Sequence, residues 1–124
     1  MSASAPIDSA RLAELVHAAL DDGKGVDIRV LDVGALTVIT DYMIVVTGRS
    51  ARQVKALADR VREAVVAHKH EGASVMGSEG EAQGEWVLLD LGDVIVHIMQ
   101  PEAREFYQLE KLWEERPRAQ AAAP

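Results

Sequence analysis

A chain of 124 residues, of which 48% are apolar and 27% charged, is long enough for one domain with a single core and too short for two. Its 13 Lys and Arg residues against 20 Asp and Glu residues give a formal charge of −7, which disfavours direct nucleic-acid binding and suits a basic protein partner. The lack of Cys excludes disulfides and sulfur-based zinc sites, and without a signal peptide or a membrane-length apolar run we expect a cytoplasmic protein that binds no membrane.

The first predicted element is an amphipathic helix over residues 9–22. Asp8 stands where an N-cap carboxylate accepts amide hydrogens, and Ile7 with Leu12 has the spacing of a hydrophobic staple. Gly23 is predicted to end the helix in the left-handed conformation. The apolar side of this helix repeats at intervals of three and four residues and comprises Leu12, Leu15, Val16, Ala19 and Leu20.

Two strands and a second helix are predicted next. Residues 26–33 are rich in β-branched side chains, and residues 42–47 form an almost wholly apolar run, which is typical of a strand buried on both faces. Ser50 and Gln53 have the spacing of a capping box, so a helix should begin after Ser50. Its predicted buried stripe is Val54, Leu57, Ala58, Val61 and Val65.

The C-terminal half predicts a hairpin and a last helix. Residues 71–85 are acidic and rich in Gly, with a short strand predicted only at residues 74–76. Residues 86–91 and 94–99 are strand-like runs on either side of Gly92-Asp93, a composition typical of a two-residue hairpin turn. Pro101 suits the first turn of a helix whose predicted apolar side is Phe106, Leu109, Leu112 and Trp113. We expect one domain over residues 1–116 and a disordered tail over residues 117–124.

The hairpin turn determines which side chains share a face of the sheet. If Gly92 and Asp93 form the loop, the pairing runs from Leu91 opposite Val94 to Trp86 opposite Met99. One face is then wholly aliphatic and predicted to lie in the core; it comprises Val87, Leu89, Leu91, Val94, Val96 and Ile98. The opposite face, called the hairpin face below, is our candidate partner-binding site and comprises Trp86, Leu88, Asp90, Ile95, His97 and Met99.

The hairpin face is too apolar for a sheet surface in contact with water. One explanation is that the last helix covers it with Tyr107 and Trp113. The other, which we favour, is that another chain binds there, since Trp and Met are frequent at interface centres and His or Asp supplies directional hydrogen bonds. The pattern alone does not identify the partner, and a second copy of the chain is among the candidates.

No catalytic constellation is found in the sequence. The turn at Gly48-Arg49-Ser50 precedes a helix, but it lacks the Lys of a P-loop and the Gly spacing of a dinucleotide site, which favours a plain turn and cap. Asp90 and Asp93 resemble a metal-binding carboxylate pair, yet their hairpin positions favour structural roles. With no HExxH pair and no GxSxG elbow, we predict no enzyme, cofactor or metal site.

Four blocks of the sequence closely resemble the ribosomal silencing factor family, also called RsfS or Iojap-like. They are ITDY at residues 39–42, TG-x-S-x-RQ at 47–53, W-x-x-x-D-x-GD-x-x-VH at 86–97 and FY-x-LE-x-LW at 106–113. The resemblance implies a translation regulator that binds large-subunit ribosomal protein fourteen and obstructs joining of the small subunit when nutrients are scarce. It also implies a nucleotidyltransferase-like α+β fold, with a mixed sheet of about five strands flanked by helices.

The resemblance also implies roles for particular residues. The W-x-L-x-D and VH-x-M positions, which here are Trp86, Leu88, Asp90, His97 and Met99, contribute to the ribosomal contact. An active nucleotidyltransferase and a homodimerisation module remain the alternatives. Gly48 and Ser50 are loosely similar to the Gly-Ser motif of nucleotidyltransferases, but no Asp-x-Asp pair follows in the required place, so no catalytic metal is implied.

Overall fold

The computed structural model describes residues 6–114, which form a sheet with helices on both faces. The predictions of a domain end at residue 116 and of a tail over residues 117–124 concern residues outside this range. In chain order the elements are α1 Ser9–Asp22, β1 Val26–Asp32, β2 Tyr42–Thr47, α2 Ala51–Ala67, a 3₁₀ turn Lys69–Glu71, β3 Gly77–Glu79, β4 Trp86–Asp90, β5 Val94–Met99, α3 Pro101–Tyr107 and α4 Leu109–Glu114.

The sheet of the described residues has five strands in the order β1-β2-β5-β4-β3. The central pair β2–β5 is parallel and runs from Tyr42 opposite Val94 to Thr47 opposite Met99, whereas the other neighbouring pairs are antiparallel. The predicted mixed sheet of the α+β class is thus confirmed. A parallel pair is typically buried on both faces, and helices do cover both faces of β2 and β5.

The main core lies between the sheet and helices α1 and α2. The predicted buried stripe of α2 and the predicted aliphatic face of the hairpin are both confirmed, since their residues are buried there together. The buried residues of α1 in this core are Leu12, Ala13, Val16 and Leu20. The strand period of 2 and the helical period of 3.6 thus identify the hairpin and α2 residues of this core, whereas in α1 the predicted Leu15 and Ala19 are only partly buried and Ala13 is buried without having been predicted.

We expect the Leu89→Ala substitution to destabilise the domain by about 3 kcal/mol, because it leaves a cavity in a core where Leu89 has no exposed surface. Urea unfolding followed by circular dichroism measures the change. The exposed Leu112 offers the matched control, and Leu112→Ala should change the free energy of unfolding by about 0.5 kcal/mol or less. Equal effects of the two substitutions would contradict this assignment of the core.

The predicted N-caps of both long helices are present. Asp8 Oδ1 accepts a hydrogen bond from Arg11 N at 2.8 Å, and Ser50 Oγ accepts one from Gln53 N at 3.1 Å. The reciprocal bond of the capping box is displaced by one residue, since Gln53 Oε1 accepts from Arg49 N at 2.7 Å.

The predicted left-handed ending of α1 at Gly23 is wrong by one residue. Gly23 has a φ of −83°, and Lys24 takes the left-handed conformation with a φ of 68°. The amide of Gly25 then donates a hydrogen bond to the carbonyl of Leu20 at 2.8 Å, and this bond ends the helix. Gly23 has a packing role, since a Cβ atom there would lie 2.8 Å from Cδ2 of Leu57.

The predicted short strand at residues 74–76 is also wrong, because the strand lies at Gly77–Glu79. Val75 packs against the main core, so the segment over residues 74–76 lies on the core side of the sheet and is not a strand. Residues 77–79 are polar or Gly and exposed, and only their backbone pairs with β4. An edge strand of this kind needs no apolar alternation, which is why composition alone misplaced it.

The predicted last helix is broken in two at Gln108, which has a φ of 48°. Leu109 and Trp113 pack inward as predicted, but Phe106 and Leu112 are 79% and 57% exposed, so their predicted place on the apolar side is wrong. The physical reason is the buried Arg104 of α3. Its Nε and Nη2 atoms donate to one oxygen of Glu110 at 3.0 and 2.9 Å, and a continuous helix would place these residues on different sides.

Candidate functional site

The hairpin face has the predicted register. Its six residues form the cross-strand pairs Trp86 with Met99, Leu88 with His97 and Asp90 with Ile95. The structure therefore brings all the predicted site residues together on one side of the sheet. Their surroundings differ along the hairpin, because α3 and α4 cover the end far from the turn and leave the end near the turn open.

At the covered end, Met99 has no exposed surface. It belongs to a second core cluster with Leu31, Val33, Met43 and Val45, and Leu109 and Trp113 of α4 pack against that cluster. The predicted contact between Met99 and a partner is therefore wrong, since this side chain is a core residue that supports the face. The explanation that the last helix covers the face is right for this end only.

Trp86 and His97 form the polar centre of the hairpin face. The indole Nε1–H of Trp86 donates to Nδ1 of His97 at 3.0 Å, and the indole lies against the ring of Tyr107 with a centroid distance of 4.6 Å. His97 is only 6% exposed, and this burial lowers its pKa to about 4. Because an indole nitrogen only donates, Nδ1 must accept, and the proton of the neutral imidazole lies on Nε2.

We expect the free energy of unfolding to fall as the pH is lowered from about 6.5 to about 4. The unfolded chain binds a proton on His97 near the ordinary pKa of 6.5, whereas burial lowers the folded-state pKa to about 4. Stability is thus fully present above pH 6.5, and up to about 3 kcal/mol is lost as the pH falls through this window. Urea unfolding at several pH values measures this, with His97→Gln as the control that lacks the titrating group. Identical slopes for both proteins between these pH values would contradict the expectation.

At the open end, a groove of about 230 Å³ runs beside the turn of the hairpin. Leu88 and Ile95 are half-buried in it, and the loop between β1 and β2 contributes Ile39, which is 73% exposed. The neighbouring Val38 is fully exposed. The groove, as the term is used below, is lined by Thr37, Ile39, Thr40, Met43, Leu88, Ile95, His97 and Trp113.

The loop over residues 33–41 was missed as part of the site. Its ends are fixed by hydrogen bonds from Val33 N to Asp41 O at 2.9 Å and from the amides of Asp41 and Tyr42 to Asp93 O, each at 3.0 Å. These bonds hold the loop against the hairpin turn, so the groove is already formed in the free chain. The signal in the sequence was the β-branched pair Val38-Ile39 in a segment outside the predicted strands.

Three Asp residues lie at the turn end of the hairpin, next to the groove. Asp41 and Asp93 are exposed and adjacent, since the amide of the first binds the carbonyl of the second. Asp90 Oδ1 accepts from Gly92 N at 2.8 Å, which is the structural role predicted for it in preference to metal binding. Among residues 6–114, no group of three or more His, Asp and Glu residues is arranged to hold a metal ion. This end of the site therefore combines an apolar groove with an acidic rim.

The turn before α2 has the structure of a plain turn and cap. A Cβ atom on Gly48 would lie 2.7 Å from Cγ2 of Val54 and 3.0 Å from its amide nitrogen, so the glycine permits close packing of the turn on the helix. This close packing accounts for a glycine at position 48, so a phosphate-binding role is not needed to explain it. Within the described part of the chain, no helix has the length and apolar character needed to cross a membrane.

Comparisons with known proteins agree on one family. A family model described as "Ribosomal silencing factor during starvation" matches residues 6–123. The "Ribosomal silencing factor RsfS" of Chromobacterium violaceum is 50% identical over 102 residues, which cover 82% of this chain and 81% of that protein. A crystal structure of a Chromobacterium violaceum protein superposes with a TM-score of 0.79 at 48% identity and covers 86% of this chain and 87% of that one. The mouse "Mitochondrial assembly of ribosomal large subunit protein 1" is 36% identical over 90 residues, or 70% of this chain and 38% of that protein.

Proposed function

Because the chain belongs to the family of ribosomal silencing factors, we propose that it binds the large ribosomal subunit through ribosomal protein fourteen and blocks joining of the small subunit. Translation would thereby be repressed in the cytoplasm when nutrients are limiting. This action is steric and needs no catalytic residue. The observation that carries the proposal is the preformed apolar groove with an acidic rim on the hairpin face.

The composition of the groove supports a protein partner. Leu88, Ile95 and Ile39 offer aliphatic surface, which suits an apolar side chain of another protein at the centre of an interface. Asp41 and Asp93 beside it, together with the formal charge of −7, attract a basic surface such as that of a ribosomal protein and repel a bare phosphate backbone.

The size of the domain supports a steric mechanism. An interface of standard size buries about 800 Å² on each partner, which this domain can provide from the hairpin face, the loop over residues 33–41 and α4. The rest of the domain would then project from the large subunit and occupy space needed by the small one. The name of the mouse relative, which refers to assembly of the ribosomal large subunit, is in keeping with this partner.

The charge distribution favours this partner over a second copy of the chain. A symmetric dimer through the hairpin face would bring Asp41, Asp90 and Asp93 of both copies into one interface, and the described residues that line the groove include no Lys or Arg to pair with them. Like charges brought together at an interface lower affinity. Light scattering of the purified chain tests this alternative, and a stable dimer at nanomolar concentration together with no subunit binding would favour the dimer.

The test of the proposed function is a sucrose-gradient experiment with purified ribosomal subunits. We expect the chain to sediment with the large subunit alone and to decrease the peak of joined particles when both subunits are present. Excess free ribosomal protein fourteen should release the chain from the large subunit. A chain that stays at the top of the gradient contradicts ribosome binding, and one that sediments with the subunit despite the competitor contradicts the choice of protein fourteen.

A further inference from the structure

The buried imidazole of His97 has one hydrogen-bonding nitrogen that no described residue satisfies. Nδ1 accepts from the indole of Trp86, so the second nitrogen, Nε2, carries the proton. Among residues 6–114, no residue forms a hydrogen bond with Nε2. A histidine that is 94% buried and lines the groove thus presents a donor without a partner, on the edge of the ring away from Trp86.

An unpaired donor in an apolar groove is costly when a partner covers it. Leu88 and Ile95 line the same groove with purely aliphatic side chains, and Met43 adds only a thioether sulfur, which is a weak acceptor. The hydroxyls of Thr37 and Thr40 also line it, but they bond to the amide of Ile39 and the carbonyl of Tyr42, and neither bonds to Nε2. A bound protein that excluded water would therefore have to supply the acceptor itself, or leave a buried polar group unsatisfied.

We propose that Nε2–H of His97 is the specificity-determining donor of the groove, and that the partner inserts an aliphatic side chain and presents a neutral carbonyl oxygen to this hydrogen. This inference rests on the proposed function and names the chemistry by which the ribosomal protein is recognised. The aliphatic side chain fits between Leu88, Ile95 and Ile39. The carbonyl belongs to the same segment of the partner, so that one short stretch of protein fills both requirements.

The charges around the groove favour a neutral acceptor. Asp41, Asp90 and Asp93 stand at the turn end of the hairpin, so a carboxylate or phosphate approaching His97 would be repelled by three like charges. A main-chain or side-chain carbonyl carries no such penalty. Since burial keeps the pKa of His97 near 4, the ring is neutral at physiological pH and gives no charge that would attract an anion.

Trp86 is a positioning residue in this scheme. Its indole nitrogen can only donate, which forces Nδ1 of His97 to accept and fixes the proton on Nε2. Its own ring is held against Tyr107. Nitrogen-15 NMR of the free protein at neutral pH reads the tautomer directly, and we expect the Nε2–H form in the wild type and a mixture of tautomers in Trp86→Phe. A wild-type ring protonated at Nδ1 would overturn the inference.

A pair of substitutions at His97 separates the two ring nitrogens. The side-chain nitrogen of Gln reaches the position of Nε2, whereas Asn reaches only the position of Nδ1. We expect His97→Gln to bind purified large ribosomal subunits within about threefold of the wild type, and His97→Asn to bind roughly ten- to hundredfold more weakly, the effect of a buried acceptor left unpaired. Val96→Ala, on the next residue of β5 and on the opposite face, controls for loss of stability and should bind as the wild type does.

The outcomes distinguish this inference from the proposed function. Binding by the wild type and His97→Gln but not by His97→Asn supports the donor role. Equal binding by all three proteins, or an equal loss in both variants while Val96→Ala binds normally, overturns the donor role and leaves ribosome binding intact. Absence of binding by the folded wild type contradicts the proposed function, and this inference with it.

Discussion

The Ile39→Glu variant is expected to bind large ribosomal subunits at least about a hundredfold more weakly than the wild type, with an unchanged melting temperature. Ile39 is 73% exposed in the free chain, so the charge costs little in the folded protein. On binding, the carboxylate would have to leave water and enter a groove lined by Leu88 and Ile95, and burying an unpaired charge is strongly unfavourable. Equilibrium sedimentation with a labelled chain measures the affinity, and thermal unfolding measures the stability.

Val66 provides the matched control. It is a β-branched residue that is 63% exposed on α2, which packs on the opposite side of the sheet from the groove. Val66→Glu therefore adds the same charge to a similar surface position, and binding should stay within about twofold of the wild type. If the two variants bind equally well, the groove is not the docking site. If both lose binding equally, the effect is one of net charge, and the apolar contact is refuted.

The hairpin register was predictable because its determinants are local. Gly92 and Asp93 specify a two-residue turn, and the alternation on either side assigns each side chain to a face. The same applies to α2, whose buried stripe follows from the helical period alone. In both cases the residues that determine which side chains are buried lie close together in the sequence, and no distant contact changed the outcome.

The division of the hairpin face into an end covered by α3 and α4 and an end open to solvent was not predictable from the sequence. The sequence allows either cover by the last helix or contact with another chain, and the structure has a covered end and an open end. The covered end arises because α3 and α4 pack over Trp86 and Met99, whereas at the open end α4 contributes only Trp113 to the wall of the groove. The groove at the open end needs the loop over residues 33–41, which is held there by hydrogen bonds to Asp93, more than fifty residues away. The residue pattern within a single strand or helix does not predict hydrogen bonds between segments so far apart in the chain.

This division also changes which substitution tests the surface. Trp86 was the strongest candidate by residue type, but its indole binds His97 and packs against Tyr107, so replacing it disturbs the fold as well as the face. Leu88 and Ile95 are half-buried, and charged substitutions there would also affect stability. Ile39 lines the groove but is not part of the core. A loss of binding in the Ile39→Glu variant can therefore be attributed to the groove and not to a loss of stability.

The break between α3 and α4 is the second feature that sequence patterns did not predict. Arg104 looks like a surface residue of an amphipathic helix, yet its side chain is buried and binds groups far along the chain. Nη1 donates to the carbonyl of Asp27 at 2.7 Å and to Oγ1 of Thr47 at 2.9 Å. Its remaining nitrogens bind Glu110. Arg104 thereby joins the first two strands to both C-terminal helices, which together close the covered end of the hairpin face.

The Arg104→Ala variant is expected to lose about 3–5 kcal/mol of its free energy of unfolding, as is typical when one partner of a buried ion pair is removed. Burial opposes ionisation of Glu110, but backbone hydrogen bonding and Arg104 more than offset this effect and lower the pKa of the carboxyl. Without Arg104, a mostly buried carboxylate, a carbonyl and the hydroxyl of Thr47 all lose their donor. Urea unfolding measures the loss, which is a large part of the stability of a small domain.

Arg60→Ala is the matched control for the burial of this arginine. Arg60 also forms an ion pair between two helices, with Asp22 of α1, but both side chains are largely exposed. Its removal should therefore cost about 1 kcal/mol or less, since water screens an exposed pair. A further variant, Arg104→Met with Glu110→Leu, removes both charges and should recover part of the stability lost in Arg104→Ala. If Arg104→Ala and Arg60→Ala cost the same, burial of Arg104 does not hold the two C-terminal helices on the sheet, and their cover of Met99 must depend on apolar packing alone.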